Sequence, residues 1–229
     1  MTSALKVMAL PKPGKARPEV RPGVAEGFEH VVVDESQGPF HVVAYLEREL
    51  PAGGIPAYLA ARKDGARSFV LWAEPERRSR VATLVTTSAG GGVAEYQVWG
   101  GQGELLGTLV REKALSGKGL RTRWTVAQTG CPVAVGLKGR IFWWYAWWLL
   151  SPLWVAIGVG SLFAGGGDVP RGPRRIVWRA DGQTPLEYRS EDNVLVHAPW
   201  ADWRLAAALT AVVRSFDSWL GTPWDDKKK

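Results

Sequence analysis

Side chains able to move protons, hold metals or attack carbonyls are few in this chain, and they are scattered. His30, His41 and His197 stand far apart, and none has metal-ligand spacing with Cys131 or with a pair of carboxylates, so no metal site is expected. Ser161 follows Gly160 without the Gly-x-Ser-x-Gly frame of a nucleophile elbow. Cys131 is the only cysteine, which excludes an intramolecular disulfide. Gly101-x-Gly103-x-x-x-Gly107 imitates a dinucleotide loop. A hairpin accounts for it better, because Thr108 and Val110 favour strand where a Rossmann unit needs a helix. The following strand also ends in Ala127-Gln128 rather than in an acid. Arg77-Arg78-Ser79-Arg80 reads as a solvated turn, with an anion site as the alternative. No catalytic or cofactor-binding residue is expected.

The remaining chemistry is that of surfaces. From Ile141 to Gly167 there is no charge, and the run opens with Phe142, Trp143, Trp144, Tyr145, Trp147 and Trp148, followed by Trp154. Lys138 and Arg140 precede it; Arg171, Arg174 and Arg175 follow it. Its length suits a membrane-spanning helix. Positive charge at both ends instead suits two flanks on one side of a bilayer. Pro152 interrupts helix formation, and Gly158, Gly160 and Gly165 to Gly167 loosen the second half. Three placements follow: a re-entrant or interfacial hairpin, a single span between two separated domains, or an insertion buried in protein or in an oligomer interface. Aromatic patches of this size are rarely left open to water. Membrane phospholipid is therefore the expected partner, with a homo-oligomer as the other possibility.

A formal net charge of +7 suits anionic surfaces. Nucleic acid suits it less well, and none is expected. Residues 1–27 carry Lys6, Lys12, Lys15, Arg17 and Arg21 among Pro11, Pro13, Pro18 and Pro22, and lack an apolar stretch of signal-peptide length. They are expected to form a disordered basic arm, and the protein to be cytoplasmic at the inner face of the cell membrane.

The elements that would carry such a surface are mostly strands. Residues 28–66 give a poorly defined start, with Phe28 to Asp34 as a strand and Ala57 to Arg62 as a helical turn. From Arg67 onward, alternating apolar runs joined by Gly-bearing turns form hairpins: 68–73 with 80–87, 93–99 with 104–111, 120–128 with 132–137, and 175–179 with 186–189. Trp72, Trp99, Trp124 and Trp178 each fall in such a strand and are expected to pack in the barrel core or wall. Asp202 is an N-cap candidate for a helix over Trp203 to Leu220, with Gly221 suited to its C-terminal end. Leu205 to Val213 has one polar residue, Thr210, so these turns must be enclosed. Leu205, Leu209, Val212, Val213, Phe216 and Trp219 form the apolar body of that rod, while Thr210, Arg214, Asp217 and Ser218 mark a face that emerges. The expected fold is mainly β: a closed antiparallel barrel around a hydrophobic C-terminal helix, with the aromatic tract as an insertion. Asp225-Asp226 and the lysines after them, in 222–229, read as a frayed tail.

Tyr96 to Arg111 (YQVWGGQGELLGTLVR), the strand around Trp124, the hairpin Ile176 to Arg189 and Ala201 to Leu220 (ADWRLAAALTAVVRSFDSWL) resemble the tubby C-terminal-like superfamily. That group includes the phospholipid scramblase-like and LURP-one-related proteins. The resemblance covers about residues 67–221. It implies a barrel of about a dozen antiparallel strands wrapped around a central C-terminal helix. It implies phospholipid binding in some branches and no known activity in others. The tract at 141–167 departs from the family, and no phosphoinositide-binding or calcium-binding motif is present to carry over.

Overall fold

A computed structural model describes residues 3–10, 28–38, 41–115, 119–139, 175–189, 193–216 and 223–226. Its strands are β1 (Ser3–Ala9), β2 (His30–Asp34), β3 (Val42–Arg48), β4 (Phe69–Trp72), β5 (Arg80–Gly90) and β6 (Val93–Gly100). The second half adds β7 (Leu105–Glu112), β8 (Arg123–Gln128), β9 (Ala134–Lys138), β10 (Ile176–Ala180), β11 (Gln183–Tyr188) and β12 (Asn193–Val196). Each strand pairs with the next, and β1 pairs with β12, so the twelve close into one antiparallel barrel. Closure removes the two free edges that an open sheet would leave. Two α-helices are described, α1 (Gly54–Lys63) and α2 (Trp203–Ser215).

Period-2 alternation explains the wall. In β6, Ala94, Tyr96 and Val98 are buried while Glu95, Gln97 and Trp99 between them are half-buried. Trp124 and Trp178 point into the core; Trp72 and Trp99 lie half-buried on the outer face. Gly107 and Gly136 are places where a side chain will not fit. A Cβ on Gly107 would sit 2.5 Å from the Ala127 carbonyl oxygen, and one on Gly136 would sit 2.7 Å from Ile176 Cγ2. The Gly101–Gly103 region is the turn between β6 and β7, and Leu105–Glu112 is strand rather than the helix of a dinucleotide unit.

Helix α2 has no solvent face over most of its length. From Leu205 to Val213 no residue is more than 2% exposed. It packs against β1 and β12 and also against β5, β6 and β7, which lie across the ring from them. Asp202 caps it as expected, its Oδ1 accepting from the Arg204 N–H at 2.8 Å. Thr210 is fully buried and donates to the Ala206 carbonyl at 2.7 Å, so this polar position needs no exposure. Each buried Leu or Val contributes about 1.5–3 kcal/mol relative to exposure. The helix stops at Ser215, with Phe216 as C-cap, short of the expected Leu220. Asp217, Ser218, Trp219 and Gly221 lie outside the described residues.

Two expectations are corrected. The N-terminal stretch is not wholly a disordered arm, because Ser3–Ala9 is the strand that closes the ring, with Leu5 and Val7 facing the core. The barrel therefore begins at residue 3 rather than 67, and residues 28–66 supply β2, β3 and α1 to it. The tail is not frayed throughout either. Trp224 donates from Nε1 to the Ala211 carbonyl at 2.9 Å and packs on Phe69, and Asp225 is completely buried.

Candidate functional site

The register gives the barrel two distinguishable ends. At one end α2 starts, tied to the barrel by Gln128, whose Oε1 accepts from the Asp202 N–H at 2.8 Å. At the other end α2 finishes, with Ser215 Oγ accepting from Arg67 Nε at 2.9 Å. The apolar tract leaves from this second end. Lys138, the last residue of β9, pairs with Ile176, the first of β10, and the Gly139 N–H donates to the Arg175 carbonyl at 2.7 Å. The chain thus departs and returns at one point. A single crossing that placed the two flanks on opposite sides of a bilayer is incompatible with that pairing. Phe142, Trp143, Trp144, Tyr145, Trp147, Trp148, Trp154, Arg140, Arg171 and Arg174 lie outside the described residues. Among the described residues, no helix is long and apolar enough to cross a membrane.

Of the basic flanks, the structure brings Lys138 and Arg175 together at the root of the tract. A groove of about 740 Å³ opens there on the outer barrel face, with Val135, Leu137 and Val177 along its floor. Arg121, Arg175, Arg179 and His197 border it, and Glu187 is the acid among them. Glu187 Oε1 accepts from Arg175 Nε at 2.8 Å and from Arg189 Nε at 3.2 Å. Burial would raise its pKa, but the Arg189 hydrogen bond and the charges of Arg175 and Arg189 outweigh that and hold it below the usual carboxylate range. Arg121 Nη1 donates to the Gly139 carbonyl at 2.9 Å, fixing a cation beside the point of departure.

The mouth of the same end holds a buried ionic cluster. Asp225 Oδ2 accepts from Arg62 Nε at 2.9 Å and from the Tyr58 hydroxyl at 3.1 Å, and Oδ1 accepts from Arg62 Nη2 at 3.1 Å. Arg67 Nε lies 2.9 Å from Oδ2. Phe216 sits between two guanidinium groups, with Arg67 at 4.1 Å and Arg111 at 4.0 Å from its ring centroid. Burial pushes the pKa values of Arg67 and Arg111 down, and burial reinforced by the Asp225 charge pushes Tyr58 up. Arg62 goes the other way, since the hydrogen bond and charge of Asp225 outweigh its desolvation. Sequence reasoning missed this cluster, because Tyr58, Arg62 and Arg67 are separated from Asp225 by most of the chain. The one local hint was a tryptophan, Trp224, in an otherwise polar tail.

The rod residues Leu205, Leu209, Val212 and Val213 are buried, and Phe216 is half-buried at the mouth. His30, His41 and His197 are not assembled: among the described residues no group of His, Cys, Asp and Glu could hold a metal ion. Arg77 lies in an exposed turn, paired with Glu47 through Nη2 at 2.8 Å. No family model, no curated protein and no solved structure matches the chain.

Proposed function

We propose that this protein is a non-enzymatic, membrane-associated β-barrel module. It docks on anionic phospholipid at the inner face of the cell membrane by the end from which the apolar tract leaves. The observation that carries this reading is the hydrogen-bonded pairing of Lys138 with Ile176 at the two roots of the tract. Both flanks stay on one side, so the tract must return to the side it left. As one helix, about 27 residues would reach about 40 Å; folded back, each arm reaches at most about 20 Å. That falls short of the about 30 Å hydrocarbon core, so a re-entrant or interfacial hairpin fits and two full crossings do not.

Charge supports the same orientation. Lys138, Arg121, Arg123, Arg175 and Arg189 all belong to the end that would face lipid. Each basic group near an anionic surface adds about 1 kcal/mol. The closed ring of twelve antiparallel strands and the all-round burial of α2 are what the tubby-like resemblance implies, and they support placing the helix at the centre of the barrel.

The test is flotation of the full chain with vesicles of phosphatidylcholine alone or mixed with phosphatidylserine. Wild type should float with the anionic vesicles. Replacing Trp143, Trp144, Trp147 and Trp148 together by Ser should leave the protein at the bottom of the gradient while its far-UV spectrum stays unchanged. Equal flotation of wild type and variant would sink the proposal. If that result came with a smaller hydrodynamic size for the variant, the tract would be an oligomer interface instead.

A further inference from the structure

We propose that Tyr58, Arg62 and Arg67 form an oxyanion-binding cradle, and that the chain's own Asp225 occupies it as an internal ligand. Nothing in this depends on membrane contact.

The donors come from one short segment, α1 and the turn after it, and the barrel holds that turn directly. The Arg67 N–H donates to Thr86 Oγ1 at 2.7 Å, and that hydroxyl donates back to the Arg67 carbonyl at 2.7 Å. The Tyr96 hydroxyl donates to the Gly65 carbonyl at 2.6 Å. Arg67 Nη1 is locked onto the Arg62 and Ala66 carbonyls at 3.0 and 2.7 Å. A guanidinium only 3% exposed is therefore aimed before any carboxylate arrives. The anion comes from a separate stretch, residues 223–226, and both of its oxygens are bound. Arg62 grips it through Nε and Nη2, the two-pronged geometry that suits planar oxyanions.

Among the described residues, the guanidinium groups of this cluster outnumber its buried carboxylates. Asp225 is fully buried, Asp226 reaches only the rim of Arg62 at 3.3 Å, and Arg62 and Arg67 share the one buried carboxylate. Arg111, across Phe216, has no hydrogen bond or ion pair among the described residues. With Asp225 removed, the mouth would keep the Arg62 and Arg67 guanidinium groups and the Tyr58 phenol donor around an empty volume the size of a carboxylate. Buried charge left in this state is costly unless an anion replaces the one lost. A small carboxylate such as formate has the matching shape and charge.

The experiment is chemical rescue of the full-length Asp225→Ala variant. Its thermal midpoint should fall by several degrees in chloride. Added sodium formate, at ionic strength matched with sodium chloride, should restore at least half of that loss along a saturating curve. Wild type should not respond, because its cradle is filled. Asp225→Asn should not respond either, because the amide blocks the space. A variant that follows formate no better than chloride would overturn the proposal, as would an equal response from Asp225→Asn. If Asp225→Ala does not fold in chloride, recovery of soluble protein on dilution from urea is read instead. Equal yields in formate and chloride then count against the cradle.

Discussion

The two ends of the barrel solve the same problem with opposite chemistry. Where α2 begins, the exposed N–H groups are met by Asp202, and Arg204 closes the corner by pairing with Asp202 at 2.8 Å and with Glu104 at 2.6 Å. These groups are half-exposed or exposed and nearly balanced in charge; Asp202 and Arg204 are two residues apart, and Glu104 comes from the β6–β7 turn. Where α2 ends, Arg62, Arg67 and Arg111 converge, two of them around one fully buried carboxylate that arrives from the far end of the chain. The first end behaves as a helix cap. Among the described residues, the second holds a surplus of desolvated cations at the same end from which the apolar tract departs. The first arrangement costs little desolvation; the second takes charge out of water, so each member depends on its partners.

The sharpest way to break this contrast is Arg67→Met. The change keeps the apolar stem but leaves Asp225 with less compensation and removes the donor to Ser215. Losing one partner of a buried pair costs about 3–5 kcal/mol. Urea unfolding followed by circular dichroism should show the unfolding free energy falling by that amount, through a lower midpoint at an unchanged slope. A shift no larger than that of a cap substitution at the other end would erase the distinction between the ends.

Most of the wall was legible because its signals are local. The β6–β7 hairpin announced itself through alternation around Tyr96 and Val98 and through the glycines at its turn. The start of α2 was fixed by Asp202 beside an apolar run. The strand Ser3–Ala9 was obscured for the opposite reason: its partners β2 and β12 include residues almost the whole chain away, and the nearby prolines suggested disorder. The cluster at the mouth was hidden likewise, since Asp225 meets Arg62 across a separation of 163 residues and no spacing rule operates at that range. Sequence shows which residues could face inward; ring closure decides which of them meet.

A second, smaller effect should come from Asp202→Ala, which removes the side-chain acceptor of the first turn. Cap losses of this type cost about 1 kcal/mol. The same unfolding experiment should show a change of that size, several-fold below Arg67→Met. A larger effect would mean that Asp202 also holds the Gln128 contact in place.

Acid should separate the ends further, by a smaller amount. Glu187, at the tract's root, has a folded pKa below its ordinary value. A depressed carboxylate contributes stability above its unfolded pKa and loses it as pH falls through the folded one. Glu187→Gln should therefore be less stable than wild type at neutral pH, and the gap should close as pH drops below about 4. Arg175 and Arg189 are about half exposed, so screening limits the gap to roughly 0.5 kcal/mol. A gap that widened in acid would reverse the sign and show that the glutamate is held protonated in the folded protein.

The smallest effect belongs to Glu104→Gln. Glu104 is held below the usual carboxylate range by hydrogen bonds from the backbone and from Arg204, yet its side chain stands in solvent. Water and salt compete there for both charges, and Arg204 keeps its second partner, Asp202, after the change. The unfolding midpoint should stay within measurement error of wild type, at low salt and at high salt alike. A salt-dependent loss would show that the cap end relies on a charge network of its own. The two ends would then differ in degree of burial rather than in kind, and the surplus at the mouth would lose its significance.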